Sequence, residues 1–147
     1  EFCQIHLPST GVGGHCIPVY PWFLIKEMEK REQFSNCCLL YTSRAVNDEM
    51  IKYWSERILL ECMKIDRPLA EVKICIHGIT FRKGSRETYH SRNLALAMHL
   101  AEKGLNVYAC DDLLSPPEIE RLGLKYLEPT DADMIFDCFN LKLEVPR

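Results

Sequence analysis

The sequence predicts an α/β protein whose second half is a Rossmann-like domain with a parallel sheet. Three segments carry this prediction: an apolar, β-branched run over residues 71–79, a helical pattern over residues 91–104, and a second apolar run over residues 105–111. A strand, a helix and a strand in this order form a right-handed crossover unit with parallel strands. Ligands of such sheets bind beyond the carboxyl ends of the strands.

The ends of these elements are marked by residue type. Ser91 is expected to cap the first turn of the helix, and Gly104 is expected to end it. The stretch "PPEIERLG" predicts a further short helix with proline in its first turn. The apolar stretch "ADMIFDCF" then predicts another buried strand, which extends the sheet.

The first half of the chain follows a different pattern. Residues 1 to about 23 are rich in glycine and proline and predict a loop that enters a helix near Pro21. A helix is expected over residues 22–35, and a longer amphipathic helix over residues 42–65, ended by Pro68. Apolar residues recur at intervals of four along the longer helix, at Val46, Met50, Trp54 and Ile58. We therefore divide the chain into domains of residues 1–66 and 67–147.

Composition narrows the classes of function. The 147 residues are 47% hydrophobic and 27% charged, as in ordinary globular proteins. A net charge of −3 gives no support for a nucleic-acid partner. No apolar run reaches the roughly 18 to 20 residues that span a bilayer, and the N-terminus lacks a signal pattern. We expect a soluble, cytoplasmic chain without a membrane partner.

The eight cysteines are scattered rather than paired. No C-x-x-C occurs, and the adjacent Cys37 and Cys38 cannot both readily face one tetrahedral metal, so no metal site is expected. Cys62, Cys75 and Cys110 lie in apolar surroundings and are expected to be buried, reduced and hydrophobic in character. The others are Cys3, Cys16 and Cys138.

The loop after the first predicted strand is basic. Arginine and lysine near a helix N-terminus favour a phosphate or pyrophosphate ligand, although a solvated loop without a ligand is the alternative. The dinucleotide fingerprint G-x-G-x-x-G is absent, since the glycine after Gly78 is Gly84. Asp111 and Asp112 end the second strand, where they would either bond a ribose or form a turn. The basic residues of the loop are Arg82, Lys83, Arg86 and Arg92.

The stretch "GVGGHC" suggests covalent chemistry. Its glycines, Gly11, Gly13 and Gly14, let the backbone approach a ligand closely. Cys16, just before a predicted helix, is then a candidate nucleophile toward a carbonyl carbon. The alternative is a tight turn with a buried, inert thiol. His15 is a weaker candidate for a base, because adjacent side chains usually point in different directions.

Three segments together resemble one enzyme family. "GVGGHCIPVYPWFL" resembles the catalytic-cysteine motif of the UDP-glucose/GDP-mannose dehydrogenase family, and its histidine and "IPVYP" resemble the members that oxidise UDP-N-acetylhexosamines. "SRAVNDEM" resembles the central helix of that family. Residues 72–111 resemble its C-terminal UDP-binding domain. The segments occur in the family's order and cover nearly the whole chain.

The resemblance implies NAD-dependent oxidation of a sugar C6 alcohol to a carboxylate, with UDP-N-acetylmannosamine the implied substrate. Cys16 falls on the nucleophile, which forms a thiohemiacetal and then a thioester. The glycines and His15 fall on the loop that lies along the sugar. Phe81 and Arg82 fall on a Phe-Lys pair that contacts UDP, and arginine keeps the charge there.

The chain also departs from the family pattern. Tyr20 stands where most members have an aspartate, and Tyr89 stands where an arginine usually reaches the NAD pyrophosphate. Members begin with an NAD-binding domain that residues 1–147 do not contain. We therefore expect a C-terminal fragment, inactive alone, with NAD bound mainly by the absent domain.

The resemblance further implies a homodimer. The family dimerises through its central helical domain, whose second half would be residues 1–66, and the helix of residues 42–65 would form the contact. The alternative function is a stand-alone, non-catalytic nucleotide-sugar-binding or regulatory module. A different cysteine enzyme, such as an acyltransferase, is disfavoured because no Cys/His/Asp arrangement is identifiable.

Overall fold

The computed structural model describes residues 9–146, so Cys3 and the start of the expected N-terminal loop lie outside it. None of the helices in this range is both long and apolar enough to cross a membrane. The helices are α1 (Tyr20–Lys30), α2 (Cys38–Cys62), α3 (Arg92–Glu102) and α4 (Pro116–Arg121). The strands are β1 (Ile74–His77), β2 (Val107–Cys110), β3 (Lys125–Tyr126), β4 (Met134–Asp137) and β5 (Lys142–Glu144).

The five strands form one sheet in the order β3-β2-β1-β4-β5. β1 lies in the middle and pairs in parallel with both β2 and β4, so that Ile74 faces Val107 on one side and Met134 on the other. β3 is also parallel, whereas β5 runs antiparallel at the edge. The predicted parallel β-α-β unit is confirmed, and α/β is the class of the fold.

The predicted ends of α3 are confirmed. The Ser91 hydroxyl accepts the Leu94 N–H at 3.2 Å and donates to the Ile79 carbonyl at 2.7 Å. Gly104 follows the helix with φ of 80°, a conformation that favours glycine. These contacts fix the first turn of α3 against the end of β1.

The bounds of the two N-terminal helices differ from the expected ones. α1 begins at Tyr20, with Pro21 in its first turn, but ends at Lys30 rather than near residue 35. Glu32 adopts a left-handed φ of 56°, which stops the helix. A 3₁₀ turn over Phe34–Cys37 then leads directly into α2, which therefore begins at Cys38 rather than near residue 42.

The apolar stripe of α2 divides along the helix. Its C-terminal part packs into the main core, where Ile58 and Cys62 are at most 1% exposed and the Trp54 ring lies 5.0 Å from that of Phe136. At the other end Val46 is 54% exposed. Only the second part of the stripe is therefore covered by the sheet and α3.

Cys16, Cys62, Cys75, Cys110 and Cys138 are free thiols. Burial of Cys62, Cys75 and Cys110 is confirmed. Burial raises the pKa of the Cys62 thiol to about 11. The Cys75 and Cys110 sulfurs lie 3.3 Å apart, and this hydrogen bond raises the pKa of Cys110 above its usual range. Cys16, in contrast, is exposed.

Candidate functional site

The glycine loop, residues 11–16, is held between α2 and the β1–α3 loop. The Val12 N–H donates to the Asn47 side-chain oxygen at 2.6 Å, and the Asn47 amide donates back to the Val12 carbonyl at 3.3 Å. Just before the loop, the Thr10 hydroxyl donates to Asn93, whose amide donates to the Thr80 carbonyl at 2.8 Å. Both halves of the chain therefore position this loop.

The glycines are required by close approaches. A Cβ at Gly13 would lie 2.6 Å from the His90 carbonyl oxygen, so a side chain cannot fit unless backbone moves. Gly14 has φ of 91°, and its Cβ would lie 3.3 Å from the Phe81 ring. The loop therefore contacts the start of the basic β1–α3 loop directly.

Cys16 lies at the entrance to α1. Its carbonyl accepts the N–H groups of Val19 at 3.1 Å and Tyr20 at 2.9 Å, which starts the helix. The predicted helix start just after the cysteine is confirmed, and the alternative of a buried thiol is wrong, because Cys16 is exposed. A hydrogen bond with the Cys16 side chain raises the pKa of the Tyr20 phenol. Tyr20 is thus the polar group placed against the thiol.

The contacts of His15 do not support a role as a base for Cys16. Its ring stacks on Tyr89, with centroids 4.8 Å apart and an interplanar angle of 17°. Its Nε2 atom lies 3.9 Å from a Glu87 carboxylate oxygen. No hydrogen bond joins His15 to Cys16 within the described range. Tyr89 therefore supports His15 here, and its contact with a cofactor stays a prediction.

Phe81 forms the contact between the glycine loop and the basic loop, and Arg82 lies against the Phe81 ring. The Arg82 guanidinium lies 5.2 Å from the centroid of the Phe81 ring, and the Phe81 N–H donates to the Glu87 carbonyl at 3.0 Å. Arg82 and Lys83 are exposed. Among residues 9–146, no carboxylate pairs with either cation. Both are therefore available to an anionic ligand beside Gly14.

The other two cations of the basic loop are engaged elsewhere. Arg86 binds Glu118 at 2.6 Å and the Leu113 carbonyl at 2.7 Å, which joins the loop to α4. Arg92 turns toward α2 and donates to the Asn47 carbonyl at 2.8 Å. The four basic residues of this loop therefore differ in their contacts. Arg86 binds α4, Arg92 binds α2, and Arg82 and Lys83 have no carboxylate partner within residues 9–146.

Asp111 is a turn former in this structure. It accepts the Thr80 N–H and hydroxyl, each at 3.2 Å, and the Leu113 N–H at 2.9 Å. Asp112 is exposed and lies 3.1 Å from the His77 ring. Of the two readings left open for Asp111, these contacts favour the turn over a ribose contact.

Sequence reasoning missed the polar residues that hold the glycine loop. Asn47 and Asn93 are 8% and 5% exposed, and Thr10 is 1% exposed. Arg44, 5% exposed, donates to the Ile17 carbonyl at 3.3 Å. Polar residues within otherwise amphipathic helices are the signal that could have indicated these contacts. Their hydrogen-bond partners are distant in sequence, so the pairs could not be predicted.

No metal centre is formed by the residues that the structure describes. Within residues 9–146, no three histidine, cysteine, aspartate or glutamate side chains are grouped so that they could hold a metal ion. Among the described residues, the site offers the exposed Cys16 thiol, the Tyr20 hydroxyl, the His15 ring and the exposed cations Arg82 and Lys83.

The fold and the site define a class: an α/β domain with a mostly parallel sheet that is joined to a cysteine-bearing glycine loop. No family model matches the chain. The chain is 31% identical over 133 residues to a UDP-N-acetyl-D-mannosamine dehydrogenase from Methanococcus vannielii, covering 89% of this chain and 28% of the relative. It is 29% identical over 122 residues to the enzyme of that name from Escherichia coli, covering 80% and 27%. The chain belongs to the UDP-glucose/GDP-mannose dehydrogenase family.

Solved structures agree with the fold. A UDP-N-acetyl-mannosamine dehydrogenase from S. aureus aligns with a TM-score of 0.65 at 24% identity, over 94% of this chain and 31% of that one. A GDP-mannose dehydrogenase from Pseudomonas aeruginosa aligns with a TM-score of 0.66 at 16% identity, over 90% and 32%. The chain thus spans only about a third of those structures and about a quarter of the curated relatives.

Proposed function

We propose that this chain supplies the catalytic-cysteine loop and the UDP-binding domain of an NAD-dependent dehydrogenase that oxidises C6 of UDP-N-acetylmannosamine. One observation carries the proposal: the exposed Cys16 lies on a glycine loop packed on Phe81, beside the unpaired Arg82. Residues 1–66 then form the loop and the second half of a central helical domain. Residues 67–147 form the nucleotide domain at the C-terminal end of the whole enzyme.

Arg82 and Lys83 are the proposed pyrophosphate contacts. A guanidinium offers two parallel donors to a phosphate, and the adjacent Phe81 ring holds the Arg82 side chain in place. Gly13 and Gly14 bring the loop backbone against this point, so a UDP-sugar bound there places its sugar along the glycine loop. His15, stacked on Tyr89, would then contact the sugar.

Cys16 performs the covalent step. Its sulfur adds to the C6 aldehyde carbon, forming a thiohemiacetal in which the carbonyl oxygen takes up the proton. Oxidation of that carbon to a thioester requires an acceptor for its hydride, which NAD bound by another part of the enzyme would supply. Water would then hydrolyse the thioester, which releases the carboxylate and returns the thiol. Tyr20, whose phenol pKa the Cys16 side chain raises, is the group proposed to carry a proton at this position.

The described residues do not fit NAD. The usual place for a dinucleotide, after β1, is closed: a Cβ at Gly78 would lie 2.4 Å from the Phe139 ring, and the acidic Asp111 is used by Thr80. The glycine fingerprint is absent as well. We therefore assign NAD binding to a part of the enzyme other than residues 9–146 and derive no step through it.

A second copy of the chain is the proposed partner. Apolar side chains of the two N-terminal helices are left uncovered within residues 9–146: Phe23 is 68% exposed, Leu39 83% and Leu60 61%. Large apolar side chains left exposed on helices are candidates for contacts with another chain. We propose that these side chains form the homodimer contact, with α2 at its centre.

Calorimetric titration with UDP, UDP-N-acetylmannosamine and NAD tests the nucleotide site. We expect both UDP ligands to bind and NAD not to bind. Arg82→Ala should weaken UDP binding at least 10-fold, by analogy with a lost charge-assisted contact of roughly 1.5–3 kcal/mol. Arg57→Ala, an exposed arginine on α2, is the matched control and should change nothing. Binding of NAD alone, or equal losses in the two variants, would contradict the assignment.

Covalent chemistry needs a separate test. Rapid alkylation of Cys16, together with dehydrogenase activity restored by a separately supplied N-terminal half, supports the enzyme. Cys16→Ser should abolish that activity and leave UDP affinity unchanged. If UDP binds but no such half restores activity, the chain is a nucleotide-sugar-binding module instead.

A further inference from the structure

A cavity of about 300 Å³ lies between the start of α1, the middle of α2 and the first turn of α3. Two arginines, Arg44 and Arg92, line it together with Asp48 and His90, and Trp22 forms an apolar wall. We call it the interhelical cavity. Cys16, Phe81 and Arg82 are not among its lining residues, so the proposed function does not account for it.

Arg44 is buried without adequate partners. Its side chain belongs to a residue that is only 5% exposed, and its Nη1 atom donates to the Ile17 carbonyl at a long 3.3 Å. Its buried Nε has no hydrogen-bond partner among residues 9–146. A buried charged group left so poorly satisfied is costly and calls for a counter-ion.

Arg92 has the same deficit on the opposite wall. Its Nη2 atom donates to the carbonyls of Asn47 at 2.8 Å and Asp48 at 3.1 Å, but its buried Nε has no partner in the described range. The Asp48 carboxylate is 3.4 Å from Nη1, and its side chain is 59% exposed. Within the described range, this largely solvated carboxylate pairs with Arg92, and no carboxylate pairs with Arg44.

The positive charges of Arg44 and Arg92 repel each other. Burial is the main cause that lowers the pKa of Arg92, and the positive charge of Arg44 lowers it further, while Asp48 opposes both. His90 lies at the rim and adds no negative charge. The titratable and charged groups facing Arg92 thus leave the cavity with excess positive charge.

We propose that the interhelical cavity binds a small organic anion, with a carboxylate or phosphate group between Arg44 and Arg92 and an apolar body against Trp22. Arginine forks match the planar geometry of both anions. The Trp22 ring is held edge-to-face with Tyr41 at 6.0 Å, so the wall is already formed. The volume is at the small end of ligand pockets, which limits the ligand to a compact molecule.

Calorimetry on the 147-residue chain with phenyl phosphate, benzoate and benzyl alcohol at constant ionic strength tests this site. We expect saturable binding of one anion per chain and at least 10-fold weaker binding of the neutral alcohol. The tighter of the two anions identifies the phosphate or the carboxylate as the natural group. Equal binding of the alcohol, or no binding of any probe to the folded chain, overturns the proposal.

Variants locate the probe. Arg44→Met and Arg92→Met should each weaken anion binding at least 10-fold, whereas Arg57→Met, an exposed arginine on the same helix α2, should stay within twofold. Arg82→Ala should weaken UDP but not these probes, so a failure here and a failure of the UDP site are distinguishable.

Folding of each variant is checked by thermal unfolding without a probe. If a methionine variant does not fold, Arg92→Lys is measured instead. This variant keeps the positive charge but lacks the two parallel donors of the guanidinium, so it should bind the anion severalfold more weakly. Unchanged affinity in Arg92→Lys together with a loss in Arg57→Met would overturn the site.

Discussion

The two halves of the chain bury their apolar side chains in different ways. In the second half, residues on both faces of the sheet are fully buried: Ile74, Ile76 and Phe136 on one face and Cys75 on the other. In the first half, α1 buries only Ile25 among its residues, and α2 reaches a core only where it lies on the sheet domain. The core is therefore built on the sheet of the second half and shared with Trp54, Ile58 and Cys62 of α2, whereas α1 and the start of α2 contribute little to it.

The candidate site lies where these two halves meet. The glycine loop comes from the first half, but Asn93, Phe81 and His90 of the second half fix its path. A substitution that perturbs either half should therefore affect Cys16. Experiments can distinguish a perturbation of the first half from one of the second.

Thiol reactivity should show the largest difference. In the first half Cys16 and Cys38 are exposed while Cys37 and Cys62 are buried, whereas Cys75, Cys110 and Cys138 of the second half are all buried. Burial raises the pKa of Cys138 well above its usual range, and the hydrogen bond with Cys75 does the same for Cys110. Buried thiols react only through opening of the fold, so we expect alkylation roughly 10³-fold slower or more.

The measurement is mass-spectrometric mapping of sites during a time course with iodoacetamide in native buffer. Cys16→Ser should remove one rapidly alkylated site and leave the slow ones unchanged. Rapid alkylation of the sheet cysteines in the folded chain would mean that the second half lacks the closed core described above.

Truncation of a phenylalanine should be costly in one half and mild in the other. Phe136→Ala removes a fully buried ring beside Trp54, and we expect a loss of about 3–5 kcal/mol in the free energy of unfolding. Phe23→Ala removes a ring that is 68% exposed, and should change it by about 0.5 kcal/mol or less.

Urea unfolding followed by tryptophan fluorescence measures both variants. Sedimentation then tests the exposed face separately, because Phe23→Ala should weaken self-association if a second copy covers it. Equal losses of stability in the two variants would show that α1 is packed more tightly than its exposure indicates.

A methyl group at Gly13 should disturb the contact between the glycine loop and the second half of the chain. The new Cβ of Gly13→Ala would lie 2.6 Å from the His90 carbonyl, so the loop must shift, at a cost of about 1–3 kcal/mol. Gly84→Ala is the control: its φ of 78° carries a strain of about 1–3 kcal/mol, but nothing lies within 4 Å of its Cβ.

The two glycine variants should differ at Cys16 and not in stability. Gly13→Ala should change the alkylation rate of Cys16 and weaken UDP-N-acetylmannosamine, whereas Gly84→Ala should leave both near the wild-type value. A Gly84→Ala variant that alters Cys16 as strongly would show that the basic loop, rather than the close approach to His90, sets the path of the glycine loop.

Local signals made the fold largely predictable. The β-α-β unit, the Ser91 cap and the stop at Gly104 depend on neighbouring residues and are confirmed. β3 is two residues long, and β5 alternates charge with one apolar residue, so neither carries the apolar run that predicts a strand. Their pairing depends on the sheet beside them, which periodicity does not reveal.

The site was predictable only in part, for a related reason. The glycine and cysteine pattern is local, but Asn47 lies 35 positions from Val12, and Asn93 lies 83 positions from Thr10. The four basic residues of the loop cannot be distinguished by sequence, because their contacts in the fold decide their roles. Arg86 pairs with Glu118 and Arg92 binds α2, so that Arg82 and Lys83 are the ones available to a ligand.

The smallest expected effect concerns the ion pair that joins the basic loop to α4. Hydrogen bonds from the Ser115 hydroxyl, then from its N–H, lower the pKa of Glu118 to about 2, and Arg86 adds to this. The folded pKa lies below the ordinary value of 4.5, so the stabilisation is present above pH 4.5 and is lost as the pH falls toward 2.

Glu118→Gln should therefore lose less stability than the wild type between pH 5 and pH 2, as measured by urea unfolding at each pH. The group is solvent-accessible, so the difference should be small and should shrink in salt. Glu120→Gln, exposed on the same helix, should follow the wild-type curve. If all three curves run parallel, Arg86 is not held by Glu118 in solution, and a third cation of the basic loop becomes available to the nucleotide beside Arg82 and Lys83.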